Sequence, residues 1–235
     1  MKKFMALLLV AGMTLSLTAC GGSTDTAKTD QADGKDTFTV GFDQDFPPFG
    51  YVGDDGEFTG FDIEMATECA ARMGKKIVLQ PIDWDAKDME LEAGTIDCIW
   101  NGFTMNGRED QYTWTDPYMD NSQVVVVKKD SGINTLADLA GKVVEVQKES
   151  AAETALNDEE HADLMASFAQ LLSVGEYNTA FMDLESGAVD AVAIDIGVAQ
   201  FQIEGKEDQY QILDETISSE QYAVGFFLGN TALRD

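Results

Sequence analysis

The stretch Ile96-Asp97-Cys98-Ile99-Trp100-Asn101-Gly102-Phe103-Thr104-Met105-Asn106-Gly107-Arg108-Glu109-Asp110 holds residues suited to gripping a small anion. Its apolar, β-branched start predicts a buried strand that leaves the core at Asn101-Gly102. The loop beyond carries a hydroxyl, an amide, two glycines and one arginine. Strand-end loops of this kind are where open α/β sheets bind ligands. A guanidinium is a planar fork of donors that fits a carboxylate through two parallel hydrogen bonds. Thr104, four residues before Arg108, adds a hydroxyl that both donates and accepts. The chemistry on offer is recognition of a ligand carboxylate. The plainer alternative is a solvated arginine paired with Glu109 or Asp110.

The chain around this loop has 235 residues, enough for one large or two modest domains, and 44% of them are hydrophobic. The net charge is −28. Such a surface repels nucleic acid and anionic lipid, and neither is expected as a partner. It says nothing about the charge of a small molecule, which depends on the local site.

Met1-Lys2-Lys3 followed by the apolar run Phe4 to Leu17 reads as a targeting signal too short to span a bilayer comfortably. It ends in Leu17-Thr18-Ala19-Cys20, which looks like a bacterial lipobox. That motif implies cleavage before Cys20 and a diacylglyceryl group on its sulfur, and two acyl chains anchor stably. Gly21 to Asp36 lacks large apolar residues and is expected to be a flexible tether. Cys69 and Cys98 remain, either as a disulfide or as two buried thiols. With one histidine, His161, and no Cys-x-x-Cys pair, a zinc site is not expected. No phosphate loop and no G-x-S-x-G elbow is present, and no cofactor is implied.

Along the chain, Thr37 to Phe42 alternates as a strand, and Pro47-Pro48 forbids its continuation. Asp54-Asp55-Gly56 marks a hairpin turn. Ile63, Ala66, Ala70 and Met73 share one helical face before a stop at Gly74. Lys76 to Ile82 is a strand, and a short helix runs from Trp84 to Gly94. After the apolar strand Val124 to Val127 the pattern restarts. Leu136 to Gly141 reads as a helix, Lys142 to Val146 as a strand, and Gln147 to Ala152 as a loop entering a helix. A strand near Phe168 to Val174, a helix ending at Gly187 and the buried strand Val189 to Ile194 follow, then Tyr222 to Leu228. The rhythm predicts an α/β fold of two lobes, each a mostly parallel sheet flanked by helices, with a cleft between them.

These pieces resemble the solute-binding proteins of ABC amino-acid importers, the glutamine-, histidine- and lysine/arginine-binding group of the bacterial extracellular solute-binding proteins, family 3. The likeness rests on Asp43-Gln44-Asp45-Phe46-Pro47-Pro48-Phe49, Gly60-Phe61-Asp62-Ile63-Glu64, Phe103-Thr104 to Arg108 with Asp116-Pro117-Tyr118, Leu136 to Val144, and Gly187 to Val192, in the family's order over Thr37 to Asp235. It implies a type II periplasmic-binding-protein fold with two hinge strands, near Asn121 to Val127 and Gln221 to Gly225. It further implies a signal peptide at 1–19, a tether at 20–36, a first lobe of 37–122 with 222–235, and a second lobe of 123–221. Relatives continue past Asp235 into helices covering the first lobe, so a fragment is expected.

For chemistry, the resemblance makes Arg108 the carboxylate-binding residue and Asp195 its ammonium-binding counterpart. Thr104 and the backbone near Asn101 and Gly102 complete the carboxylate cradle, and Asp43 takes the ammonium or a polar side chain. Phe46 and Trp84 sandwich the ligand side chain. Gln147 varies with ligand type, and Ser150 and Ala151 reach across the cleft. Plainer roles remain open: Asp195 as a helix N-cap, Phe46 as core, Trp84 as a lid on the helix after it. In the family's loop, one more residue commonly separates the threonine from the arginine; Gly107 would have to allow the tighter path. The expected function is capture of a free polar amino acid and delivery to a membrane permease with its ATPase. The expected protein is a monomer, lipid-anchored outside the cell membrane and without catalytic residues. The alternatives are a ligand-sensing domain or a dehydratase-like enzyme on the same scaffold.

Overall fold

The computed structural model describes residues 35–235, so the signal segment, Cys20 and the tether before Lys35 lie outside the described residues. The first lobe begins with β1 (Thr37–Phe42) and a small antiparallel sheet of β2 (Asp45–Phe46), β3 (Gly50–Val52) and β4 (Phe58–Thr59). Helix α1 (Phe61–Arg72), β5 (Lys76–Pro81), a 3₁₀ turn at Trp84–Ala86, α2 (Lys87–Ala93), β6 (Cys98–Ile99) and β7 (Thr113–Trp114) follow. The long β8 (Met119–Lys128) enters the second lobe, which contains β9 (Val143–Gln147), α3 (Ala151–Asn157), α4 (Ala162–Ser167), β10 (Gln170–Val174), α5 (Tyr177–Ser186), β11 (Ala191–Asp195), α6 (Ile196–Ile203), β12 (Tyr210–Ile212) and β13 (Ser218–Tyr222). The chain returns to the first lobe through β14 (Gly225–Phe226) and α7 (Thr231–Arg234).

The first sheet has the order β5-β1-β6-β14-β7, and the second β10-β9-β11-β8-β12, with β13 paired to β8. Parallel pairing is confined to β5-β1-β6 and β10-β9-β11, the strands joined by crossover helices. The remaining pairs are antiparallel, because β8 leaves one lobe while β13 and β14 return from the other. Both sheets are therefore more mixed than the strand-helix rhythm predicts.

Alternation along β8 shows how the second lobe is held. Val124 and Val126 face one apolar cluster with Val192 and Ile194, while Val125 and Val127 face another with Ala191 and Ala193. Each buried Val or Ile contributes roughly 1.5–3 kcal/mol. Because both faces are covered, a charged residue on this sheet must be placed deliberately.

The two crossings lie side by side: Tyr118 N donates to Tyr222 O at 2.9 Å, and Thr115 N donates to Val224 O at 3.2 Å. The crossings between the lobes thus fall at Thr115–Tyr118 and Ala223–Val224, backed by the ribbon in which Met119–Gln123 pairs with Ser218–Tyr222. Val124 to Val127, expected in the hinge, are already core of the second sheet.

Smaller expectations also shift. Ile63, Ala66 and Ala70 are buried, but Met73 is 38% exposed because it caps α1 beyond its packed face. Leu136–Leu139 forms a 3₁₀ turn, held by a capping box between Thr135 and Asp138 and too short before Gly141 for a full α-helix. Cys69 and Cys98 are free thiols. His161 is half-buried, its Nδ1 enclosed without a partner. No group of three or more potential metal ligands occurs among the described residues.

Candidate functional site

Between the lobes lies a narrow cavity of about 20 Å³. Phe46, Trp84, Asn101, Gly102, Thr104 and Arg108 line it from the first lobe, and Gln147, Ser150, Ala151 and Asp195 from the second. Ten of the eleven candidate residues therefore converge, from segments spread over some 150 positions.

Arg108 is positioned by the tight turn the sequence anticipated. Gly107 has φ of 77°, and Arg108 N donates to Met105 O at 3.0 Å. Trp114 Nε1 holds the Arg108 carbonyl at 3.1 Å. The guanidinium stands 5.4 Å above the Phe103 ring, with Nη1 donating to Thr104 O at 3.2 Å and Nη2 to Glu149 O, across the cleft, at 3.1 Å. Among the described residues no carboxylate pairs with it, neither Glu109 nor Asp110 included.

Asp195 ends β11 and is 3% exposed. It occupies the N-cap position of α6, but its side chain makes no cap bond. Its Oδ1 instead accepts from Asn121 Nδ2 and Gln123 Nε2, each at 2.7 Å, and from the Tyr222 hydroxyl at 2.6 Å. Burial, with the charge of Glu220 second, raises its carboxyl to about pH 7.

The aromatic walls are braced from behind: Phe46 by Phe49 and Tyr177, Trp84 by Phe103 in an edge contact of 5.4 Å. Gly102, with φ of 55°, cannot carry a side chain, since a Cβ would sit 2.9 Å from the Phe46 ring. The Asn101-Gly102 corner is fixed by Asp62 in the first turn of α1, whose Oδ2 accepts from Gly102 N and, at 2.9 Å, from the Tyr118 hydroxyl. Burial lifts this carboxyl to about 7.

Some expected roles change. Gly102 N–H is committed to Asp62 and is not free for a ligand carboxylate. The Thr104 hydroxyl donates to Glu220 Oε1 at 2.7 Å, so toward the cavity it offers an acceptor, not a donor. Ser150 Oγ caps α3, accepting from Glu153 N at 3.1 Å. Asp43 does not line the cavity; its Oδ2 takes a 2.6 Å bond from Gln147 Nε2 across the lobes, and burial raises it to about 6.

Sequence reasoning missed Lys87, Glu149, Asn121, Gln123 and Glu220, all at or beside this site. A signal existed for two of them: Asn121 and Gln123 are polar at every second position leading into an apolar strand, which places both on one buried face.

The residue pattern of the bacterial extracellular solute-binding proteins, family 3, matches residues 38–218. The L-cystine-binding protein TcyJ of Escherichia coli strain K12 is 30% identical over 232 residues, 97% of this chain and 83% of that protein. The arginine-binding extracellular protein ArtP of Bacillus subtilis strain 168 is 36% identical over 148 residues, 63% of this chain and 56% of that one. Among solved structures, an ABC uptake transporter substrate binding protein from Streptococcus pneumoniae with bound histidine matches with a TM-score of 0.80 at 34% identity, covering 85% of this chain and 82% of that chain.

Proposed function

The chain belongs to the bacterial extracellular solute-binding proteins, family 3, a family of binding proteins and not of enzymes, and from that premise we propose that it captures a free polar L-amino acid for an ABC importer. One observation carries the reading: Arg108 of one lobe and Asp195 of the other line the same cavity. An amino acid in water is a zwitterion. A selective site must hold a cation and an anion a fixed distance apart, and this cavity has one of each. Arg108 takes the carboxylate, Asp195 the ammonium, and Phe46 and Trp84 enclose the side chain. Gln147, Ser150, Ala151 and the Thr104 oxygen supply polar contacts.

Closure follows from electrostatics. In an open cleft water solvates Arg108 and Asp195. A zwitterion that satisfies both lets the lobes close without stranding an unpaired charge. The moving bodies are the two lobes, which turn about the two crossings. We further propose that Cys20 carries the lipid anchor, which holds a monomer on the outer face of the cell membrane. There a permease with its ATPase reads the closed form.

Isothermal titration calorimetry with the twenty L-amino acids and L-cystine tests this. Saturable binding of at least one polar member is expected. Heats indistinguishable from dilution for all of them would remove the reading.

A further inference from the structure

The end of the cleft that faces the ammonium holds two acids. Glu220 on β13 is 7% exposed, and its Oε1 accepts from Thr104 Oγ1, Asn121 Nδ2 and Gln123 Nε2, each at 2.7 Å. The same two amide nitrogens donate to Asp195 Oδ1 at 2.7 Å. Each amide thus divides its two protons between the two carboxylates, which binds them into one unit. The groups around the pair are Tyr222 and Ser218 from β13, Asn121 and Gln123 from β8, Tyr177 from α5 and Thr104 from the loop after β6. None of these is a cation, and among the described residues no lysine or arginine forms an ion pair with either acid. Two like charges this enclosed cannot both remain ionised at low cost.

We propose that Glu220 is a ligand-positioning residue: it holds a proton on Asp195 until a ligand's ammonium group arrives, and the ammonium then takes that proton's place on Asp195. The displaced proton leaves to the buffer. The proposal rests on the amino-acid reading above. It adds that Glu220, through Thr104 on the first lobe and Asn121 and Gln123 on the hinge ribbon, ties ammonium binding to the elements that close. The raised titration of Asp195 agrees with this arrangement. Below neutrality, affinity should fall about tenfold per pH unit, the slope for release of one proton.

Two measurements decide it. In a ¹³C-carboxyl NMR titration of the ligand-free protein, the Asp195 resonance, assigned by its loss in Asp195→Asn, should titrate near neutrality, and Glu220→Gln should lower that midpoint by a unit or more while leaving Asp43 and Asp62 in place. An unmoved midpoint overturns the proposal; if Glu220→Gln does not fold, Glu220→Met, likewise uncharged, takes its place. Calorimetry at pH 6.5 in phosphate and in Bis-Tris, with the twenty L-amino acids and L-cystine as probes, then counts protons. About one should be released per ligand by the native protein and less than half of one by the variant. Binding without proton release overturns the displacement step. No heat from any probe, with the NMR titration as expected, overturns the amino-acid reading and the displacement with it, while the proton held on Asp195 stands.

Discussion

Lys87 Nζ on the first lobe lies 3.2 Å from Glu149 Oε2 on the second, and the lysine is only 2% exposed. The ammonium also stands 5.4 Å from the centroid of the Trp84 ring, a wall of the cavity. Burial pushes the Lys87 pKa down, yet Glu149 and Asp88 oppose that shift. Glu149 is itself unusual: its φ of 62° is the left-handed conformation, otherwise found only at glycines among the described residues, and its carbonyl accepts from Arg108. One loop residue thus receives both Lys87 and Arg108 of the first lobe.

This pair should act only when the lobes are closed. Lys87→Met and Glu149→Gln are each expected to weaken ligand binding about tenfold, chiefly through faster dissociation, and the double variant should be little worse than either. Half of the pair is exposed, which limits the coupling to about 1 kcal/mol. A double-mutant cycle by calorimetry measures it; additive losses would show that the two residues act separately.

Arg108→Ala is expected to abolish amino-acid binding, a loss of at least about a thousandfold, because a buried carboxylate would be left unpaired. The fold should persist, since the guanidinium contacts only two carbonyls and a ring face. Calorimetry and a thermal melt of the same preparation distinguish loss of binding from loss of structure. An unchanged affinity would refute the carboxylate assignment.

Stability should fall as pH rises from 5 to 8. Burial holds Asp43 at about 6, and Asp62 and Asp195 at about 7. The unfolded chain releases those protons near 4, so across this interval the native state binds more protons than the unfolded state. Their contribution is full below about pH 4 and is lost as pH climbs through 6 and 7. Asp85 and Asp138 are lowered, and their effect lies below this window. Scanning calorimetry should show Tm roughly 5–10 °C lower at pH 8 than at pH 5. A flat or rising Tm contradicts the three burials.

Gly60→Ala should destabilise the first lobe by about 2–4 kcal/mol. Gly60 has φ of 126°, and a Cβ there would lie 2.3 Å from Phe49 O. Urea denaturation of this variant beside Gly56→Ala, whose added Cβ would meet nothing within 4 Å, separates steric conflict from the cost of positive φ alone.

The local signals in the chain were sufficient for much of this protein. Glycines at 74, 94 and 187 stop helices, four consecutive valines make β8, and a threonine-to-arginine loop follows a buried strand. Such features depend on neighbours within a few residues, so periodicity and turn chemistry expose them. The tertiary structure alone decided which polar groups were already committed. Gly102 N–H goes to Asp62, 40 positions away, the Thr104 hydroxyl to Glu220, 116 away, and Lys87 to Glu149, 62 away. A hydrogen-bond partner brought by a distant strand leaves no periodic trace in sequence, because only the folded backbone sets the few ångströms that separate donor from acceptor.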